Sequence, residues 1–174
     1  QQTQGVDFSV QDKVNIAKAL DNIGIDYIEG GWPGANPTDT KFFEQNNKFS
    51  NAKFTAFGMT KRAGRSADND PQLRSLIDAN SDSICLVAKT WDFHVDLALG
   101  ISLEENIEAI KDSVLSVKAN DKEPLIDCEH FFDGFKSNPE FSYKCIEAAL
   151  ENGAEWVVLC DTNGGTLPNE IFQI

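Results

Sequence analysis

The chain has 174 residues, 41% of them apolar, which suffices for one domain with a sizeable core. Its 15 Lys+Arg against 28 Asp+Glu leave a net charge of −13, which argues against sequence-independent binding to nucleic acid or to an anionic membrane. No apolar run approaches the ~18 residues of a membrane span, and the start is neither a signal nor a transit peptide, so the cytoplasm is the default expectation.

In chain order, Ser9 caps a helix that runs to Ile23, with Asp12 as a capping-box partner and Gly24 as the stop. A buried strand, Ile25–Glu29, ends on a carboxylate and breaks into Gly30-Gly-Trp32-Pro-Gly34. Residues 38–49 read as a helix with Phe42 and Phe43 inward, and 53–57 as a strand. Residues 59–69 read as a loop whose Arg62 and Arg65 either attract phosphates or are simply solvated. Pro71 opens a helix to Ala79, Ser83–Lys89 is a strand, and 90–100 is a loop holding His94. Ser102 caps a long helix to Ala119 with Glu105 completing a capping box. Pro124–Glu129 is a strand, Asn138 caps a helix over 139–151, 155–160 is the last strand, and Leu167 begins another helix.

Strand–helix alternation predicts a parallel sheet with crossover helices. The predicted strand ends, Glu29, Gly58, Lys89, Glu129 and Asp161, recur at the spacing of a βα unit. Polar groups at the same end of several strands favour a TIM (β/α)8 barrel over a doubly wound sheet. Five strands are too few to close one, so residues 1–174 are expected to form a single partial barrel, about strands 2–6, lacking strand 1 and strands 7–8. The four cysteines form no CxxC and read as reduced core residues.

Several runs carry a resemblance: Gly5-Val-Asp-Phe-Ser-Val-Gln-Asp-Lys13, Tyr27-Ile-Glu-Gly-Gly-Trp-Pro-Gly-Ala-Asn-Pro37, Lys89-Thr-Trp-Asp-Phe-His94, Cys128-Glu-His-Phe-Phe-Asp-Gly134 and Leu159-Cys-Asp-Thr-Asn-Gly-Gly-Thr-Leu-Pro168. Together they resemble the citramalate synthase branch of the isopropylmalate/homocitrate synthase family of metal-dependent TIM-barrel acyltransferases and lyases. The resemblance implies a Claisen condensation of acetyl-CoA with a 2-oxo acid, pyruvate in this branch. It also implies a divalent metal (Zn, Mg or Mn), amino-acid biosynthesis directed to isoleucine, and a homodimer when intact. By the same resemblance, Glu29 and Glu129 are the catalytic carboxylates, and Gln2, His94 and Thr162 contact substrate. The metal-binding Asp of an Arg-Asp-Gly-x-Gln signature and a His-x-His pair fall outside this chain. No metal ligand is therefore expected within it, and the 174 residues alone are expected to be inactive. Isopropylmalate or homocitrate synthase, a related lyase, and a non-catalytic partial-barrel binding module are the alternatives.

Read without the family, the same residues have plainer roles. Glu29 equally suits a strand-end carboxylate held by a helix N-terminus. Glu129 and Asp127 share strand parity and should face one side; His130 has the opposite parity and reads as structural. His94, among aromatics, reads equally as packing. By the resemblance, Thr162 takes the substrate role, with Asp161 as its orienter.

Overall fold

A computed structural model describes residues 4–45 and 47–174; Gln2 lies outside them. Five strands, β1 (Tyr27–Gly31), β2 (Lys53–Met59), β3 (Ser83–Lys89), β4 (Glu123–Glu129) and β5 (Trp156–Leu159), form one sheet in the order β1-β2-β3-β4-β5. Every pairing is parallel. A doubly wound sheet reverses its order at a switch point; this one never does, so it is an open wedge of a barrel. The helices are α1 (Val10–Asn22), α2 (Pro37–Glu44), α3 (Pro71–Asp78), α4 (Asp92–His94), α5 (Leu103–Ala119), α6 (Phe131–Ser137), α7 (Pro139–Glu151) and α8 (Pro168–Gln173).

Period-two alternation sorts each strand between two faces. Ile28, Phe54, Ala56, Ile84, Leu86, Ile126 and Cys128 point to the helices and join one core with Val14, Phe42, Phe43, Leu73, Leu76, Val114 and Phe141. The opposite face is a concave groove of about 930 Å³, lined among others by Tyr27, Glu29, Lys53, Asp127 and Trp156. Ile126 is 0% exposed on the first face and Trp156 55% exposed on the second.

The Gly30-Gly31 break has a steric cause. Gly31 sits at φ +119°, and a Cβ there would lie 2.5 Å from the Asp39 carboxylate. That carboxylate accepts from the Trp32 N–H at 2.9 Å and from Asn36 Nδ2 at 2.8 Å, and it forms a buried ion pair with Lys13 of α1. Burial alone would raise the Asp39 carboxyl; Lys13, the Trp32 N–H and Asn36 outweigh it and hold the group below the usual range. One side chain therefore ties α1, α2 and the turn after β1 together.

Some predicted boundaries move. The capping box at Ser9 and Asp12 is present. Helix α2 ends at Glu44, not near 49, because Asn47 Nδ2 takes the Phe42 carbonyl at 2.9 Å and replaces a helical partner. Ser102 accepts from the Glu105 N–H, but Glu105 sends its carboxylate to the Gly64 N–H at 3.2 Å and completes no box. The predicted loop at 90–100 is helical: α4 runs into a π-type turn, Val95–Leu99, closed by Gly100 at φ +63°. Val95 is the single buried side chain of that turn, so no apolar period announced it. Helix α6 also went unpredicted, because its phenylalanines read simply as core.

Candidate active site

The C-terminal strand ends carry a connected set of polar groups. Lys89 and Glu129, the last residues of β3 and β4, lie side by side in register, and their side chains form an ion pair. The surrounding backbone is fixed from the helices. Asn106 of α5 donates to the Lys89 carbonyl at 2.9 Å, Thr90 Oγ1 donates to the Glu129 carbonyl at 3.0 Å, and Ser142 Oγ of α7 donates to the Thr90 carbonyl at 2.8 Å. Asn106, Thr90 and Ser142 are all buried, so these bonds form where water competes little.

Gly134 lets α6 approach this end. A Cβ there would lie 2.5 Å from the Thr90 carbonyl oxygen and 2.9 Å from Trp91 Cα. The close approach brings His130, just before α6, against His94 of α4, with ring centroids 4.5 Å apart at 79°. Trp91 stacks beside His94 at 4.7 Å. Desolvation, then the charges of His130 and Lys89, lower the pKa of His94. The His94 imidazole is therefore neutral at physiological pH, able to donate from one nitrogen and accept at the other.

Thr162 joins the set from beyond β5: its Oγ1 accepts from the His130 N–H at 2.8 Å. Asp161 does not orient it. Its carboxylate accepts from the Thr166 N–H at 3.0 Å and from Thr166 Oγ1 at 2.9 Å, bonds that lower its pKa and close its own loop. His130, read from parity as structural, belongs to the site, because a left-handed backbone at φ 54° ends the strand alternation.

Glu29 sits elsewhere. Its partners are Asp127 and Cys85, one layer below Glu129 on the same sheet face, with ligand-type atoms of the three within 4.8 Å of one another. Glu29 is exposed along the groove, yet desolvation and then the Asp127 charge raise its carboxyl pKa. Burial likewise raises Asp127, and burial with the two acids pushes the Cys85 thiol up. Asp127 and Glu129 do share a face, as parity required, but Glu129 meets Lys89 and Asp127 meets Glu29. Cys128 and Cys145 are core residues; Cys85 is buried but turned toward acids.

A divalent ion of the kind the resemblance implies does not fit these groups well. Glu129 already faces an ammonium. The trio mixes two carboxyls with a thiol that burial disfavours ionising, whereas magnesium takes oxygen alone and a cysteine binds zinc only as the thiolate. The Glu29 and Asp127 carboxyls both have raised pKa values, which favours their protonated forms over a ligand role. Arg62 donates from Nε to Gln72 and from its N–H to Asp70, beside a recess of about 420 Å³ that also takes in Lys61, Trp32 and Leu99.

Lys89, Asp133 (which faces His130 Nδ1 at 3.4 Å) and the Glu29–Asp127 contact are not read from the sequence. Asp133 was the most findable, three residues after His130 at the start of a helix, where side chains meet.

A family model described as HMGL-like matches residues 1–174. The chain is 53% identical over 175 residues to an (R)-citramalate synthase of Aquifex aeolicus (strain VF5), a match covering 99% of this chain and 33% of that protein. It is 31% identical to a 2-isopropylmalate synthase of Lactococcus lactis subsp. cremoris (strain SK11), covering 100% of this chain and 33% of that one. The chain thus spans about a third of the length of the curated relatives it matches. Among solved structures, an HMG-CoA lyase of Bacillus subtilis superposes with a TM-score of 0.75 at 17% identity, over 98% of this chain and 57% of that one, a likeness of fold. By its sequence, the chain belongs to the HMGL-like family.

Proposed function

We propose that the chain forms one wall of the active site of a metal-dependent acyltransferase that joins acetyl-CoA to pyruvate, giving citramalate. The reaction takes a proton from the acetyl methyl, forms a carbon–carbon bond to the keto carbon and hydrolyses the thioester with water, releasing CoA. The observation that carries the reading is the convergence of Glu129 with Lys89, neutral His94 and the Thr162 hydroxyl at one end of a parallel sheet. Such sheets place chemistry at that end.

In this reading Glu129 offers carboxylate oxygens for proton transfer or for orienting water. Lys89 holds Glu129 in place, Thr162 donates to the substrate carboxylate, and His94 bonds a substrate oxygen without adding charge. A divalent ion, zinc, magnesium or manganese, supplies Lewis acidity at the keto oxygen when bound; its ligands and Gln2 belong to parts of the protein outside the described residues. Glu29, the other carboxylate the resemblance makes catalytic, faces Asp127 and Cys85 below the mouth, where its raised pKa lets it carry a proton. The reading extends to a cytoplasmic homodimer serving isoleucine biosynthesis.

The test is CoA release by the whole protein supplied with metal, acetyl-CoA and either pyruvate or 2-oxoisovalerate, followed with a thiol reagent. Pyruvate is expected to turn over faster, and Glu129→Gln to lower kcat by about 10²-fold or more. A preference for 2-oxoisovalerate would move the assignment to isopropylmalate synthesis, and an unaffected Glu129→Gln would remove Glu129 from the chemistry.

A further inference from the structure

We infer that His130 is a positioning residue for Thr162, its left-handed backbone setting the direction in which the Thr162 hydroxyl donates its proton; this rests on the functional reading above. His130 lies at φ 54° and ψ 35°. Among the described residues one other non-glycine, Asp121, has positive φ, and Asp121 lies in a surface turn where such residues are common. A left-handed histidine is disfavoured by its Cβ and persists where its surroundings determine it.

Those surroundings are specific. The His130 carbonyl accepts from the Gly134 N–H at 2.9 Å, and the next N–H, of Phe131, donates to the Cys160 carbonyl at 3.1 Å. The His130 Nδ1 faces Asp133 at 3.4 Å, and Asn163 Nδ2 holds that carboxylate at 2.8 Å. With the ring pinned by Asp133 and His94, the His130 N–H is left aimed at Thr162 Oγ1. The β4–β5 ladder thus continues past its last strand residue, with a side-chain hydroxyl standing in for a backbone carbonyl.

A threonine hydroxyl has one proton and two lone pairs. With a lone pair committed to His130, the proton is free to point away from it, and accepting one bond strengthens the donor in the other. The His130 N–H lies in the peptide plane shared with Glu129; a right-handed or extended residue 130 would instead redirect Phe131, break its bond to the Cys160 carbonyl and let the turn carrying Thr162 move off that N–H. Because the effect is on a bond to substrate, it appears in recognition of the 2-oxo acid.

The experiment compares wild type, His130→Val, His130→Gly, His130→Asn, Thr162→Val and the double variant His130→Val/Thr162→Val in the whole protein, reading KM for pyruvate and for acetyl-CoA separately. Valine excludes the left-handed backbone, whereas glycine and asparagine accept it. His130→Val is expected to raise KM for pyruvate about ten- to a hundredfold, the worth of one hydrogen bond to a charged group, with KM for acetyl-CoA little moved. His130→Gly and His130→Asn should bring it back to within a few-fold of wild type. His130→Val should add nothing to Thr162→Val. Should the valine variant fail to fold, glycine and asparagine still decide: a loss as large as that of Thr162→Val would overturn the inference. Additivity of the two valine changes would overturn it as well. A wild type inactive on every 2-oxo acid would instead overturn the functional reading and this inference with it.

Discussion

Replacing Asp39 with asparagine removes the carboxylate that joins α1, α2 and the turn after β1. Asp39 is 3% exposed and Lys13 is 7% exposed, so the substitution leaves a buried ammonium without its counter-charge. Breaking one side of a buried pair costs about 3–5 kcal/mol. Asparagine can still accept one bond from the Trp32 N–H, which favours the lower end. Set against a total stability of about 5–15 kcal/mol, the loss is large. With a urea slope of about 1–3 kcal/mol per molar, the midpoint should fall by roughly one molar or more, read by circular dichroism. The pH dependence has a definite sign. Asp39 is held below the usual carboxylate range, so its contribution is complete above the unfolded-state value and fades as pH falls through the folded one. Asp39→Asn should remove that part of the acid sensitivity. The double variant Lys13→Met/Asp39→Leu should recover much of the stability, because neither charge is then buried alone. A loss below about 1 kcal/mol for Asp39→Asn would refute the reasoning by showing that water reaches the pair.

The Glu29–Asp127 pair has the opposite sign: raised carboxyl pKa values mean stability that is complete below the unfolded values and lost as pH rises through the folded ones. Glu29→Gln or Asp127→Asn should flatten the decline in urea midpoint above about pH 4; a steeper decline would show that ionising these carboxyls does not destabilise the fold. Iodoacetamide at pH 8 should label Cys160 first, since it is half-buried with its thiol pushed up to about 11, against about 12 for fully buried Cys145. Cys85, Cys128 and Cys145 should react on unfolding, as peptide mapping would show. Gly134→Ala places a methyl against the Thr90 carbonyl and should cost about 1–3 kcal/mol in denaturant titration; a neutral result would mean that α6 shifts freely.

Much of the fold was legible because its signals are local. Short apolar runs between helix signals placed five strands to within a residue or two, and Ser9, Ser102 and Asn138 announced their helices. The helical segments at 92–99 and 131–137 were not legible, since each is held by contacts distant in sequence. Asn138 Nδ2 on Asp92 and Gly134 on Thr90 are examples.

The site divides along the same line. By itself the sequence determined that Glu29, Glu129, His94 and Thr162 sit near strand ends, that Asp127 and Glu129 share a face, and that the sheet is parallel, because those properties follow from spacing along one chain. Which carboxylate meets which partner was decided by tertiary structure alone. The Glu129–Lys89 and Glu29–Asp127 pairings are set by register between strands far apart in sequence. The assignment of His130 turned on a single backbone dihedral, which reverses parity without leaving a trace in the residue pattern.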